Sequence, residues 1–263
     1  MVLFQKKTEQ DLNQNFRAKR RAILNDNSDF SVKEAYKTLR TNIRFSQPEG
    51  SCHKLCVTSA LPGEGKSITA LNAAISFAEA GQRVLLIDGD LRCPTMARLL
   101  IENGTPGLSN ILAGMCTEEE AIHKNRYPNL DVIFSGAIPP NPSELLSCPR
   151  MEKLLQSLSD RYDYIFIDTP PVNVVTDACV IASLLDGVLF VVRQNRSERD
   201  MVSRGVSQLN IAGGRILGFV LNGVREDGGK RYGNYKQYGY YQHGYELRTG
   251  DKSKSPGRPA KKK

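Results

Sequence analysis

A chain of 263 residues, 40% of them hydrophobic, is long enough to bury a full core, and the usual domain sizes favour one globular domain with flexible ends over two complete domains. Its formal charge of +8 sits at the ends: residues 248–263 carry seven Lys/Arg against one Asp and residues 1–22 six against two, leaving 23 basic against 25 acidic residues over 23–247, which excludes a basic body built for nucleic acid and leaves no specific nucleic-acid partner expected. The six cysteines show no Cys-x-x-Cys and no zinc-like spacing with histidine, and no apolar run approaches the roughly 18 residues of a membrane-spanning helix, so a zinc module is excluded and a cytoplasmic protein without signal peptide is expected.

The first thirty residues are polar and aperiodic, which predicts an extended or loosely docked lead-in over 1–30. Order is expected from Ser31, where Ser31-Val32-Lys33-Glu34 has capping-box spacing and Ala35, Leu39 and Ile43 form an apolar stripe on a helix ending before Pro48. A β-run at Lys54 to Ser59, a Gly-containing loop, a helix from Lys66 to Ala80 and a β-run at Arg83 to Asp88 compose a βαβ unit. Further β-runs at Leu130 to Phe134, Tyr164 to Asp168, Gly187 to Val192 and Ile216 to Leu221 are short, continuous and apolar. Strands of that kind are covered by helices on both faces, so the fold class is α/β, a doubly wound, mostly parallel sheet, with the domain spanning 31–226. From Asp227 the sequence turns to Gly, Tyr, Asn and Gln, too poor in aliphatic residues for a core, and 227–263 is expected to be a flexible Tyr-rich and basic tail.

The segment Ala60-Leu61-Pro62-Gly63-Glu64-Gly65-Lys66-Ser67 follows a predicted strand and opens a predicted helix, the context a phosphate loop needs, with Ala60 where the usual pattern has its first glycine. Glycines let backbone N–H groups turn inward around a phosphate, the helix N-terminus adds positive potential, Lys66 reaches the β- and γ-phosphates, and the Ser67 hydroxyl ligates Mg²⁺. The candidate ATP-contacting run is therefore Pro62, Gly63, Glu64, Gly65, Lys66, Ser67 and Ile68, in a P-loop NTPase fold. Asp88 and Asp90 stand at the mouth of one predicted strand and Asp168 at the mouth of another, where open α/β sheets gather ligands. Asp168 fits a Walker B carboxylate for Mg²⁺, and strand-end aspartates that merely cap the next turn are the blander alternative.

These residues resemble the bacterial tyrosine kinases (BY-kinases) that control capsule and exopolysaccharide synthesis. The resemblance is carried by Ser59 to Ser67 (Walker A), Leu86-Ile87-Asp88-Gly89-Asp90-Leu91-Arg92-Cys93-Pro94 (the A′ motif), Ile167-Asp168-Thr169-Pro170-Pro171 (Walker B) and the tyrosine-rich end. It implies Mg-ATP as substrate, Lys66, Asp88, Asp90 and Asp168 as catalytic residues, and Ser67, Asp88 and Asp168 around the metal. Asn222 resembles the adenine-contacting position of the wider superfamily; an Asn there is equally read as a turn former. The ParA- and MinD-like ATPases, dimerisation switches of the same fold, are the runner-up, but their signature lysine early in the loop is absent from Leu61-Pro62-Gly63-Glu64.

Tyr232, Tyr235, Tyr238, Tyr240, Tyr241 and Tyr245 place six of ten tyrosines within fourteen residues. Hydroxyls on a flexible chain can enter an active site, so this cluster is the expected phosphoacceptor, with a sticky self-associating segment as the alternative. The resemblance further implies a ring-like homo-oligomer in which subunits phosphorylate one another, a membrane adaptor that activates the kinase and holds it at the inner face of the plasma membrane, and a cognate tyrosine phosphatase. The helix around Glu34 to Phe45 resembles the family's subunit-contact helix, with Lys37 where the pattern prefers Arg.

Overall fold

The computed structural model describes residues 16–47 and 52–224. In chain order the elements are α1 (Phe30–Ser46), β1 (His53–Ser59), α2 (Lys66–Glu79), β2 (Val84–Asp88), α3 (Met96–Leu100), α4 (Leu108–Ala113), α5 (Glu118–Ala121), β3 (Ile122–Tyr127) and β4 (Leu130–Ile133). They continue with α6 (Pro142–Leu146), α7 (Pro149–Ser159), β5 (Tyr164–Asp168), α8 (Asp177–Ala182), β6 (Gly187–Arg193), α9 (Arg199–Ile211) and β7 (Ile216–Asn222). The strands form one seven-stranded sheet in the order β3-β4-β2-β5-β1-β6-β7. Every pairing is parallel except β3 with β4.

The continuous apolar runs have a simple cause. Successive side chains of a strand point to opposite faces, and here both faces are dry. Cys56, Leu85, Ile87, Ile165, Ile167 and Phe190 enter one buried cluster, while Leu55, Val57, Leu86, Tyr164, Phe166 and Val191 enter the other. The predicted strands accordingly match the observed ones to within a residue at each end. Parallel register then aligns the strand mouths: Asp88 of β2 is paired directly with Asp168 of β5.

Three features depart from expectation. The antiparallel edge strand β3 was not legible, because His123-Lys124-Asn125-Arg126 offers no apolar alternation; its exposed charges also suit an edge that must not recruit another strand. The helix α1 starts one residue before Ser31, at Phe30, with Asp29 at the N-cap and no side-chain cap bond, so the capping box does not form and Glu34 pairs instead with Lys37 at 2.7 Å. Its packed face is Tyr36, Leu39 and Ile43, and Ala35 is exposed. Packing also begins before Ser31: Ile23 and Leu24 are buried, the Leu24 N–H donates to Asn72 Oδ1 at 2.8 Å, and Asn72 Nδ2 donates to Ala22 O at 2.8 Å. Among the described residues no helix is long and apolar enough to cross a membrane, and all six cysteines are free thiols.

Candidate active site

At the carboxyl ends of the central strands the chain leaves β1 and turns through Gly63 and Gly65, whose φ values of +82° and +100° belong to the left-handed region. Only glycine takes these without strain, and at Gly65 space forbids a side chain as well, since a Cβ would stand 1.9 Å from Asn222 Nδ2. The helix α2 begins at Lys66 with its first N–H groups aimed at the loop, an arrangement that attracts anions. Pro62 and Gly63 are exposed, while the side chain of Ile68 is half-buried against the core.

Glu64 is only 1% exposed, and its carboxylate does not face the loop's ligand side. Its Oε2 accepts the Leu61 N–H at 2.8 Å and its Oε1 accepts the Ser197 hydroxyl, which makes it an internal brace of the loop. Asn222 completes the brace: Nδ2 donates to Glu64 O at 2.9 Å, while Oδ1 accepts the Gly223 N–H at 2.8 Å. The turn after β6 also reaches the loop, with Arg193 Nη1 donating to Gly63 O at 2.9 Å and Arg196 Nη2 to Pro62 O at 3.3 Å.

The acidic residues converge on Lys66. Lys66 Nζ donates to Asp90 Oδ2 at 3.0 Å and to Asp168 Oδ1 at 3.4 Å, with the Ser67 hydroxyl at 3.3 Å. Burial by itself would lower the lysine's pKa, but Asp168 and Asp90 outweigh it and the ammonium is held above its usual value. Asp88 is fully buried, accepting the Asp90 N–H at 3.2 Å and the Met96 N–H at 3.1 Å. Desolvation, then repulsion from Asp168, pushes its pKa up to about 7. Asp168 is raised as well, desolvation opposing Lys66 and the Ser67 hydroxyl. Two like charges in one dry site cannot both ionise freely unless cations join them.

Asp168 Oδ2 is buried and has no hydrogen-bond partner. An orphaned carboxylate oxygen beside the Ser67 hydroxyl suits a hard cation, so the residues fit Mg²⁺. Among the described residues no group of three or more His, Cys, Asp or Glu forms a preformed metal cage. Mg²⁺ characteristically takes one or two carboxylates and draws the remaining oxygens from phosphate and water. Of the three expected ligands, Asp168 has a free oxygen to offer and the Ser67 hydroxyl is held by the 3.3 Å contact from Lys66, whereas both Asp88 oxygens already accept backbone N–H groups.

Beyond the expected set, Arg92 forks onto the buried Asp177 at 2.9 and 3.0 Å, and Ser143 donates to the same carboxylate at 2.8 Å. This triad ties the segment after Asp90 to the start of α8. Arg193, Arg196, Ser197 and Asp177 were missed by sequence reasoning; the one available signal was a basic turn, Arg193-Gln194-Asn195-Arg196-Ser197, directly after an apolar strand. The tyrosines from Tyr232 to Tyr245 lie outside the described residues.

The site thus combines an anion-binding loop, a buried lysine, a cation-ready carboxylate and a second carboxylate that takes up a proton near neutral pH. Such a set can align a phosphate chain and neutralise it, which is most of what phosphoryl transfer requires. Comparisons with known proteins point the same way. A family model described as an AAA domain matches residues 53–210. The tyrosine-protein kinase YwqD of Bacillus subtilis is 38% identical over 79% of this chain and 85% of its own length. The kinase domain of the Escherichia coli tyrosine kinase ETK superposes with a TM-score of 0.74 at 37% identity, over 79% of this chain and 81% of that one. More distantly, the septum site-determining protein MinD of Pyrococcus horikoshii, solved with Mg-ADP, matches at 26% identity and a TM-score of 0.57, over 70% of this chain and 72% of that one.

Proposed function

This chain belongs to the bacterial tyrosine-protein kinases and is a protein-tyrosine kinase of P-loop fold, and from that premise we propose that it uses Mg-ATP to phosphorylate the tyrosine cluster Tyr232, Tyr235, Tyr238, Tyr240, Tyr241 and Tyr245 of neighbouring copies of itself. The single observation that carries the reading is the buried cluster in which Lys66 bridges Asp90 and Asp168 while Asp88 pairs in register with Asp168.

In this reading the backbone of Pro62 to Ile68 binds the phosphates, and Lys66 leaves its carboxylates to meet the terminal phosphoryl group. Asp168 and Ser67, with Asp88 behind them, hold Mg²⁺, which when bound neutralises the charge on the phosphate oxygens. Asp88 accepts the tyrosine proton as the new O–P bond forms and ADP departs with the electrons of the broken one. Burial pushes the Asp88 pKa up to about 7 in the cation-free protein, and a proton transfer late in the reaction asks only modest basicity of the carboxylate. Asp90 fixes Lys66 and the following turn, its Oδ1 accepting the Cys93 N–H at 3.0 Å. Asn222 supports nucleotide binding through the loop backbone as well as at any adenine contact.

The catalytic body is 31–226 together with the packed segment before it, and 227–263 is the substrate tail. Each added phosphate brings up to about two negative charges, so multiply modified tails repel one another and loosen a ring of subunits. A membrane adaptor, a cognate phosphatase and control of capsule or exopolysaccharide synthesis and export complete the proposal, resting on the motif resemblance.

A ParA- or MinD-like switch would make a different product from the same ATP. Incubation with labelled Mg-ATP and mapping of phosphate by mass spectrometry separates them: phosphotyrosine at 232–245 is expected, and ADP release with unlabelled protein would select the ATPase.

A further inference from the structure

The turn after β6 is held by its own hydrogen bonds and by the phosphate loop. Asn195 takes φ +58°, the Ser197 N–H donates to Arg193 O at 3.0 Å, the Arg193 N–H donates to Ser197 Oγ at 2.8 Å, and Ser197 is itself bonded to the buried Glu64. The backbone of Arg196 is therefore fixed against the phosphate loop. Its guanidinium is laid on the loop's crown, with three of its atoms within 3.1 Å of where a Gly63 Cβ would stand. It is exposed, makes one 3.3 Å bond to a carbonyl, and has no carboxylate partner among the described residues. A cation in such a place, beside a loop built to hold phosphate and without a carboxylate partner among the described residues, is available to an anion.

We propose that Arg196 is a substrate-contacting residue, which leaves Pro62 O when a nucleoside triphosphate binds and forks onto its terminal phosphate. The adjacent Arg193, tied at 2.9 Å to Gly63 O, stays as the loop's brace. Arginine suits the task because its planar, permanently charged fork matches phosphate oxygens. Supplied from the same chain, it puts positive charge at the loop's crown, where Leu61 leaves the loop without a lysine of its own. The inference rests on the reading of Gly63 to Ser67 as a phosphate loop and deepens it by assigning recognition of the third phosphate.

The experiment measures binding of Mg-ADP and of a non-hydrolysable Mg-ATP analogue to the full chain, wild type, Arg196→Ala, Arg196→Lys and, as a charge control, the exposed Arg199→Ala. The expected result is that Arg196→Ala weakens the triphosphate about tenfold or more and leaves the diphosphate within about twofold, as loss of one charge-assisted pair predicts, with Arg196→Lys intermediate and Arg199→Ala unchanged. Equal weakening of both nucleotides would make Arg196 a second brace, and no change would make it a bystander; either overturns the inference. A wild-type chain that bound neither nucleotide would remove the phosphate-loop reading as well.

Discussion

The two ends of the sheet use the same residue types to opposite effect. At the amino end, Arg83 and Asp163 pair at 2.7 Å and Lys54 and Asp186 at 3.8 Å, all partly in water, and the two carboxylates also accept backbone N–H groups beside the strand starts, that of Arg83 at 2.8 Å and that of Lys54 at 2.7 Å. At the carboxyl end, Lys66, Asp88, Asp90 and Asp168 are all buried, and one carboxylate oxygen has no partner. Asp163 is held below the usual carboxylate range by its bond from Arg83, whereas desolvation raises Asp88 and Asp168 above it. Water decides the sign. Exposed pairs finish strands at little cost, while dry ones store a charge imbalance that a nucleotide and a cation can relieve.

The sharpest way to break this contrast is Lys66→Met. Transfer to tyrosine should fall by roughly a thousandfold or more, because positioning and charge neutralisation are lost together. Removing the shared cation also strands Asp90 and Asp168 in a dry site, at a cost of roughly 3–5 kcal/mol. Thermal unfolding of the nucleotide-free variant should show a drop of roughly 10 °C at pH 8, shrinking as pH falls and Asp168, already raised by desolvation, takes up a proton.

Asp88→Asn comes next. Nucleotide binding should persist while tyrosine phosphorylation falls by about 10²- to 10⁴-fold, the usual worth of a proton acceptor; undiminished transfer would remove that role. A stability measurement gives an independent check. With its pKa raised from 3.8 to about 7, folded Asp88 binds more protons than the unfolded chain across that window. Stability of the nucleotide-free protein should then decline as pH rises from about 4 to about 7, and Asp88→Asn should flatten the slope.

Gly65→Ala tests the loop. The left-handed φ and the Asn222 amide both oppose a methyl group, so nucleotide affinity should fall on the order of tenfold to a hundredfold as the loop shifts.

What could be read from the sequence follows the same divide between pattern and approach. The interior strands announced themselves because burial on both faces forces continuous apolar residues, and Asp88, Asp90 and Asp168 were legible as the polar residues that end such runs. Gly63, Gly65 and Lys66 were fixed by the spacing of a loop between strand and helix. Edge strand β3 gave no signal, being half in water and irregular in register. Glu64 was expected to contact nucleotide because its neighbours do, and its turn inward depends on Ser197, 133 positions away. Arg193 and Arg196 likewise acquire meaning only when β6 is laid beside β1. Contacts made by folding distant segments together leave no periodicity to detect.

The smallest effect belongs at the amino end and completes the contrast. Asp163→Asn removes an exposed ion pair but keeps an oxygen that can still accept the Arg83 N–H. Since the folded pKa of Asp163 is depressed, its contribution is present above about pH 4 and disappears as pH falls through the folded value. The variant should unfold about 2 °C lower at pH 7, match the wild type near pH 2, and be insensitive to the change at pH 7 when salt is high. Kinase activity should not change, because the nearest link from Asp163 to the site runs the full length of β5 through buried Phe166 and Ile167. A loss of activity there would mean that charge at one end of the sheet is felt at the other, and that the two ends are not the independent devices their solvent exposure implies.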